Sequence, residues 1–264
     1  MKHYLVLVDF TDIADIAVKQ AIDLAKEKNA KISVCHIYNT KQDGHTEVLE
    51  SQLNGYKSKI EAEGIACDIK ISHGDLFSAS EILVNELEPS MVIVGTHGKK
   101  GISQALFGSA IYKMVRSLKC PTLVVNERTQ IRSGGFDKIL VPVSHHDNFM
   151  DKVTNGMNLL SKTGTLYLFA VVSENGALDE KIEENVDRAK SYLNDHDISW
   201  LYKEESKGMA NFGFADDTLK FMNQEEIGLI SIIADIATES KHFGKMDKEK
   251  LLLNAQGLPV LCSN

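Results

Sequence analysis

The chain has 264 residues, 43% of them hydrophobic and 25% charged, and its formal net charge is -8. This length suits one large domain or two small ones, and the composition is ordinary for a globular, soluble protein. The negative charge disfavours non-specific binding to nucleic acid or to an anionic membrane, because both partners would repel it.

Short β-branched runs alternate with amphipathic helical stretches twice along the chain, which is typical of parallel sheets with helical crossovers. In the first half the predicted strands are residues 4–8, 31–37, 66–71, 91–94 and 122–125. In the second half they are residues 138–143, 165–172, 199–202, 228–233 and 259–261. The pattern predicts an α/β fold with two tandem five-stranded parallel sheets.

The helical stripes repeat between the halves as well. One helix in the first half has apolar residues at Ile13, Ala17, Ala21 and Leu24, and the same spacing recurs at Phe149, Val153, Met157 and Leu160. A further helix follows in each half, with stripes at Leu49, Leu53, Tyr56 and Ile60, and at Leu178, Ile182, Val186, Ala189 and Leu193. The polar stretch 127–135 is the natural linker. We therefore expect domains at residues 1–127 and 136–264.

A glycine-rich segment follows the fourth predicted strand, where open parallel sheets place their ligands. Gly95 and Gly98 would let backbone amides approach a polyphosphate, since neither residue has a side chain. Gly108 and Ser109 precede a helix predicted at 110–118, whose unpaired N–H groups favour an anion. The Ser109 hydroxyl could bind phosphate, cap the helix, or do both.

The spacing Gly95-x2-Gly98-x9-Gly108-Ser109 resembles the ATP-binding motif of the universal stress protein family. Leu7-Val8-Asp9 at the end of the first predicted strand, His36-Ile37 at the end of the second, and the stretch 119–125 are similar to that family too. The resemblance implies a Rossmann-like, adenine nucleotide alpha hydrolase-like fold of five parallel strands, in subunits that commonly pair through their last strands. For this chain it implies an intrachain pseudo-dimer and a possible homodimer.

The resemblance also implies a set of site residues. Asp9 would lie near the nucleoside of ATP, and the backbone at Ile37 would read adenine. Gly95, Gly98, Gly108 and Ser109 would surround the phosphates, with magnesium accompanying them. His97 could act as an acid or base beside phosphate, but loop packing is the favoured role. We expect a nucleotide-dependent regulatory module with at most slow ATP hydrolysis.

Two other functions stay open at this point. One is an enzyme of the wider adenine nucleotide alpha hydrolase-like group, and the other is a structural interaction protein that binds nothing. The stretch Ser133-Gly134-Gly135 resembles a pyrophosphatase loop, but it precedes a strand instead of following one, so we interpret it as a decoy. No feature of the sequence identifies a protein partner.

The second half is predicted to have lost the nucleotide site. An ungapped alignment of Pro259 on Pro121 places Ile233, Ile236 and Met246 opposite the three motif glycines. Asp247 then stands opposite Ser109, and Ser144 replaces Asp9. Branched side chains would fill the space for phosphate, and a carboxylate would repel it.

The remaining signals concern location. The first apolar run, residues 4–8, is too short for a signal-peptide core, and no stretch approaches the roughly 18 to 20 apolar residues that span a bilayer. The cysteines lie singly in apolar segments, at Cys35, Cys67, Cys120 and Cys262. Buried, reduced thiols and a cytoplasmic protein are therefore expected.

Overall fold

A computed structural model describes residues 1–38, 46–96, 104–131, 133–172, 178–206, 214–234 and 245–263. These residues form two compact units. The first unit comprises Met1–Gly135 together with Leu252–Pro259, and the second comprises Phe136–Leu251 together with Val260–Asn264.

The first unit is a parallel sheet with helical crossovers. Its elements are β1 (Lys2–Leu7), α1 (Asp12–Lys28), β2 (Ala30–Tyr38), α2 (Thr46–Glu61), β3 (Cys67–His73), α3 (Leu76–Leu87), β4 (Met91–Thr96), α4 (Gln104–Ser117) and β5 (Thr122–Asn126). The strand order is β3-β2-β1-β4-β5, with every pair parallel. The middle strands are buried on both faces, so their sequences are nearly continuous runs of apolar residues.

The second unit repeats this plan. Its elements are β6 (Phe136–Pro142), α5 (Phe149–Leu159), β7 (Leu160–Val172), α6 (Glu180–Asp195), β8 (Ser199–Ser206), α7 (Phe214–Gln224), β9 (Leu229–Ile233), α8 (Lys245–Leu252) and β10 (Val260–Ser263). The strand order is β8-β7-β6-β9-β10, again parallel throughout. The predicted α/β class with two similar halves is confirmed.

Capping residues mark the ends of two helices in the first unit. Thr11 caps α1, since its side chain accepts a hydrogen bond from the Ala14 amide, and Asn29 ends the helix in the left-handed conformation. Asp75 caps α3 in the same way. No helix in the described part of the chain is both long and apolar enough to cross a membrane.

The predicted strands all occur, with ends shifted by a few residues. One helix boundary was wrong. The helix expected at 110–118 begins earlier, at Gln104, so Gly108 and Ser109 lie inside α4, about one turn past its first residue.

The stretch Leu252–Pro259 belongs to the first unit although it lies far away along the chain. The Asn126 side-chain amide donates to the Asn254 carbonyl oxygen at 2.9 Å, and the Arg128 guanidinium donates to the Ala255 carbonyl oxygen at 2.6 Å. Gly257 has a φ of +80°, and a Cβ at this position would overlap the Arg128 carbonyl group. Only glycine therefore allows the two backbones to approach this closely.

We predict that Gly257→Ala destabilises the protein by about 3 to 4 kcal/mol, because it combines the cost of left-handed backbone with overpacking. Gly64→Ala is the matched control. Gly64 has a similar φ of +77°, but a Cβ there would meet nothing within 4 Å. The Gly64→Ala variant should lose only about 1 to 2 kcal/mol of stability. Urea unfolding of both variants measures the difference, and equal losses would contradict the close approach.

Candidate functional site

The carboxyl ends of the central strands of the first sheet meet at one edge, as they must in a parallel sheet. A cavity of about 390 Å³ opens there. Its lining is largely apolar, with Leu7 and Val8 from the end of β1, and Val94 from β4. The polar or small residues around it are Asp9, Gly74, Asp75, Gly95 and Thr96.

Three of the predicted site residues are brought together at this cavity: Asp9, Ile37 and Gly95 all line it. His97 and Gly98 lie outside the described residues. Gly108 and Ser109 lie within α4, where the structure describes only the backbone of these two residues. The residues that the sequence placed around a nucleoside thus share one cavity, and the phosphate contacts stay predictions.

Asp9 shapes the turn between β1 and α1. Its Oδ1 accepts hydrogen bonds from the Thr11 amide at 3.2 Å and from the Thr11 hydroxyl at 2.6 Å. The side chain is exposed at the cavity. Because an ionised carboxylate has several acceptor positions, holding Thr11 leaves acceptor capacity for a ligand.

Phe10 adopts an unusual backbone conformation beside Asp9. Its φ of 62° is rare for a bulky residue and is found where the surroundings enforce it. The Phe10 ring lies 4.5 Å from the His36 ring and 6.3 Å from the Tyr56 ring, measured between centroids. His36 in turn donates through Nδ1 to the Val8 carbonyl oxygen at 2.8 Å. This packing fixes the turn that presents Asp9.

Gly95 has a packing role that the sequence did not reveal. A Cβ on Gly95 would lie 2.5 Å from Cγ2 of Ile13 and 3.0 Å from the Ile13 carbonyl oxygen. The end of β4 therefore touches the first turn of α1, and the absence of a side chain permits that contact. This is a physical reason for the glycine besides the phosphate approach expected from the motif.

Thr96 is a site residue that the sequence analysis missed. It is only 2% exposed and lines the cavity, and its hydroxyl has no hydrogen-bond partner among the described atoms. A buried hydroxyl without a partner costs free energy that a ligand could recover. Its place between Gly95 and Gly98 was the available signal, but the motif directs attention to the glycines.

Asp75 places a second carboxylate at the cavity. Its Oδ1 accepts from the amides of Phe77 at 3.0 Å and Ser78 at 3.2 Å, which caps α3. Hydrogen bonds from the Ser78 side chain and then from the backbone lower the pKa of Asp75. The described part of the cavity is therefore apolar with two acidic groups, and it suits a ligand that offers hydrogen-bond donors.

The loop Ser133-Gly134-Gly135 holds an anion of the protein itself. Its two glycine amides and the Ser133 side chain hydrogen-bond the Asp23 carboxylate, and they oppose the rise in the Asp23 pKa that burial causes. These donors are thus engaged within the first unit, in agreement with the interpretation of this loop as a decoy.

His145 and His146 are adjacent residues between β6 and α5. His145 Nε2 lies 3.1 Å from Asp179 Oδ1, and His146 is buried. Within the described ranges, no group of three or more His, Cys, Asp or Glu side chains is arranged to hold a metal ion.

Known proteins resemble this chain in sequence over its first half and in fold over its whole length. Residues 1–126 match the sequence profile of the Universal stress protein family. This match identifies a universal stress protein domain in the first half of the chain. A Staphylococcus aureus (strain USA300) protein described as a universal stress protein is 25% identical over 138 residues, which cover 47% of this chain and 83% of that protein.

Solved structures extend the likeness to the whole chain. A universal stress protein from Archaeoglobus fulgidus DSM 4304 has a TM-score of 0.77 at 19% identity, covering 99% of this chain and 96% of that one. A functionally unknown protein from Pseudomonas aeruginosa PAO1 has a TM-score of 0.68 at 17% identity, covering 100% and 92%. At these identities the likeness shows the fold, here an α/β fold with two similar halves over the whole chain.

We predict that Gly95→Ala destabilises the protein by about 1 to 3 kcal/mol, because the new methyl group overpacks against Ile13. In an Ile13→Ala background the same change should cost less stability, since Cγ2 of Ile13 is gone. Thermal unfolding of the parent, the two single variants and the double variant gives the coupling energy between the two positions. Gly156→Ala is a suitable control, because its nearest contact would be an ordinary 3.5 Å. It should be neutral or stabilising within α5. Additive losses would contradict the contact.

Proposed function

We propose that the first unit binds ATP, with magnesium accompanying its phosphates, and that nucleotide occupancy is a regulatory signal. The observation that carries this proposal is the buried hydroxyl of Thr96, which has no hydrogen-bond partner among the residues that the structure describes and lies in a cavity shared with Asp9 and Ile37. A volume of about 390 Å³ falls within the usual range for small-molecule sites. The match of residues 1–126 to the universal stress protein family supports the same ligand class.

The chemistry of the cavity favours the nucleoside end of the ligand. Asp9 and Asp75 accept hydrogen bonds but repel phosphate, so hydroxyl or amino donors suit this part of the cavity. The phosphates then belong toward the loop that carries Gly98 and toward Gly108 and Ser109 on α4. Magnesium would be held chiefly by phosphate oxygens and water, as is usual for this ion.

The proposed role is binding, with slow hydrolysis at most. An enzyme of the adenine nucleotide alpha hydrolase-like group remains the alternative, and phosphate release measured beside binding separates the two. A structural protein that binds nothing is the other alternative, and it is excluded if ATP binds the parent protein. A cytoplasmic location, the absence of nucleic-acid and membrane partners, and a pseudo-dimer of the two halves stay predictions from the sequence.

The second unit is proposed to bind no nucleotide. On the register that places Ser144 opposite Asp9, Phe149 stands opposite Ala14, which lines the first unit's cavity. Phe149 is fully buried. A large ring thus replaces a methyl group at the matching position, which supports loss of the cavity in addition to the loss of the motif glycines.

We predict that Thr96→Val weakens ATP binding roughly 2- to 10-fold, the equivalent of one lost hydrogen bond between neutral groups. Protein stability should be unchanged or higher, because the hydroxyl has no described partner to lose. Isothermal titration calorimetry and urea unfolding measure the two quantities.

Thr122→Val is the matched control for that experiment. Thr122 is also buried, on the neighbouring strand β5, and its hydroxyl donates to the Cys120 carbonyl oxygen at 3.3 Å. This variant should lose about 1 kcal/mol of stability and keep its ATP affinity. Unchanged affinity in Thr96→Val would remove Thr96 from the site, and no binding by the parent would end the proposal.

We also predict a stoichiometry of one ATP per chain. Asp9→Ala, in the first unit, should weaken this binding by about 1 to 3 kcal/mol, the range for a lost hydrogen bond or pair of bonds to a carboxylate. Ser144→Ala, at the matching position of the second unit, should leave both affinity and stoichiometry unchanged. Calorimetry with a known active fraction gives the number of sites. Two equivalent sites would show that the second unit binds nucleotide as well.

A further inference from the structure

Asp75 lies at the end of the first unit's cavity that is farthest along the sheet from the glycine-rich loop. It follows β3, whereas that loop follows β4, and β2 and β1 lie between these two strands. Neighbouring strands are about 4.8 Å apart, so the two strand ends are separated by roughly 14 Å. The cavity reaches both of them, since Asp75 and Thr96 line it. A ligand that fills it therefore extends across four strand ends.

Local contacts fix the position of the Asp75 carboxylate. The Gly74 amide donates to the Tyr38 carbonyl oxygen at 2.9 Å, which ties the turn after β3 to the end of β2. The amides of Phe77 and Ser78 then hold the carboxylate at the start of α3. An ionised carboxylate has about four acceptor positions, and the Asp75 side chain is exposed at the cavity. It can therefore accept a further hydrogen bond from a ligand.

The neighbours of Asp75 at this end of the cavity are apolar or aromatic. They are Ile37, Tyr38 and Leu76. The Tyr38 ring is held by an edge contact with the His73 ring, with 5.1 Å between the centroids. A phosphate group would be repelled by the carboxylate. Apolar walls with one charged acceptor instead suit a flat heteroaromatic ring that carries an N–H donor at its edge.

We propose that Asp75 accepts a hydrogen bond from the exocyclic amino group of the base, so that the site selects nucleotides whose base carries such a group. This inference rests on the proposed function, because it takes the cavity to be the nucleotide site. A nucleotide is ordered as phosphate, ribose and base, and the strand ends are ordered β4, β1, β2 and β3. With the phosphates at the loop after β4, the ribose lies nearest Asp9 and the base reaches Asp75.

The test compares ATP with purine riboside triphosphate, which lacks only the amino group, by isothermal titration calorimetry on the full chain. The parent should bind ATP roughly 5- to 20-fold more tightly, the range for one hydrogen bond to a partly solvated charged group. Asp75→Asn should reduce this preference to less than about twofold, because the Asn amide presents a donor where the carboxylate accepted. Asn is as good an N-cap as Asp, so α3 should stay intact, which urea unfolding checks.

Two control variants separate base recognition from general effects of charge and capping. Asp179 caps α6 in the second unit, where its carboxylate accepts from the Lys181 amide at 3.0 Å. Asp179→Asn should therefore keep the parent's preference for ATP. Asp9→Ala should weaken the binding of both nucleotides alike, because the ribose is common to them.

The outcomes distinguish this inference from the proposed function. Equal affinity of the parent for the two nucleotides, or a preference that survives in folded Asp75→Asn, would overturn the role of Asp75 and leave ATP binding intact. Failure of the parent to bind ATP would end the proposed function and this inference with it. If Asp75→Asn is unstable, Asp75→Ser, which keeps a capping oxygen on a shorter side chain, gives the same comparison.

Discussion

The parallel pairing of β1 with β2 on one side and β4 on the other decides where the first unit can hold a ligand. All three strands end at the same edge, and a helix follows each of them along the chain. The Val8 amide continues the pairing by donating to the Cys35 carbonyl oxygen at 2.9 Å, so the chain turns only at Asp9. Asp9, Ile37 and Thr96 lie around one cavity because each is at or next to the end of one of these three strands.

The second unit obeys the same constraint but fills the edge differently. There β6 lies between β7 and β9, and the chain again turns into a helix just after the strand. Phe149 and Lys152 stand at the positions matching Ala14 and Ala17. Two small side chains in one unit and two large ones in the other change the edge without changing the strand order. The fold fixes the position of this sheet edge, and a few side chains on the first helix of each unit decide which ligand fits there.

Much of the fold could be predicted because buried parallel strands are short, apolar and evenly spaced. The helix α3 was not predicted, since its pattern is blurred: Ser80 is fully buried while Ile82 is 60% exposed. The start of α4 was placed too late because the two glycines of the motif suggested a loop, and tertiary context overrides such weak preferences.

The candidate site was predicted only in part. Asp9 and Ile37 were assigned from the family resemblance, and each lies at the end of a predicted strand, a position that local sequence does display. The contact of Gly95 with Ile13 depends on how closely a helix approaches a strand, and no local pattern encodes that distance. Thr96 matters because its hydroxyl finds no partner in the described part of the chain, and that depends on residues from several elements around it. Packing and hydrogen-bond satisfaction between distant residues are what the sequence does not display.

The place of Leu252–Pro259 in the first unit has a consequence for how the protein is made. A ribosome synthesises the chain from its amino end, so β1 to β5 emerge long before the residues that complete their unit. Until then, the Asn126 amide and the Arg128 guanidinium lack their acceptors on Asn254 and Ala255. The first unit therefore reaches its final form late in synthesis, and a stop codon shortly before Leu252 damages the unit that was translated first.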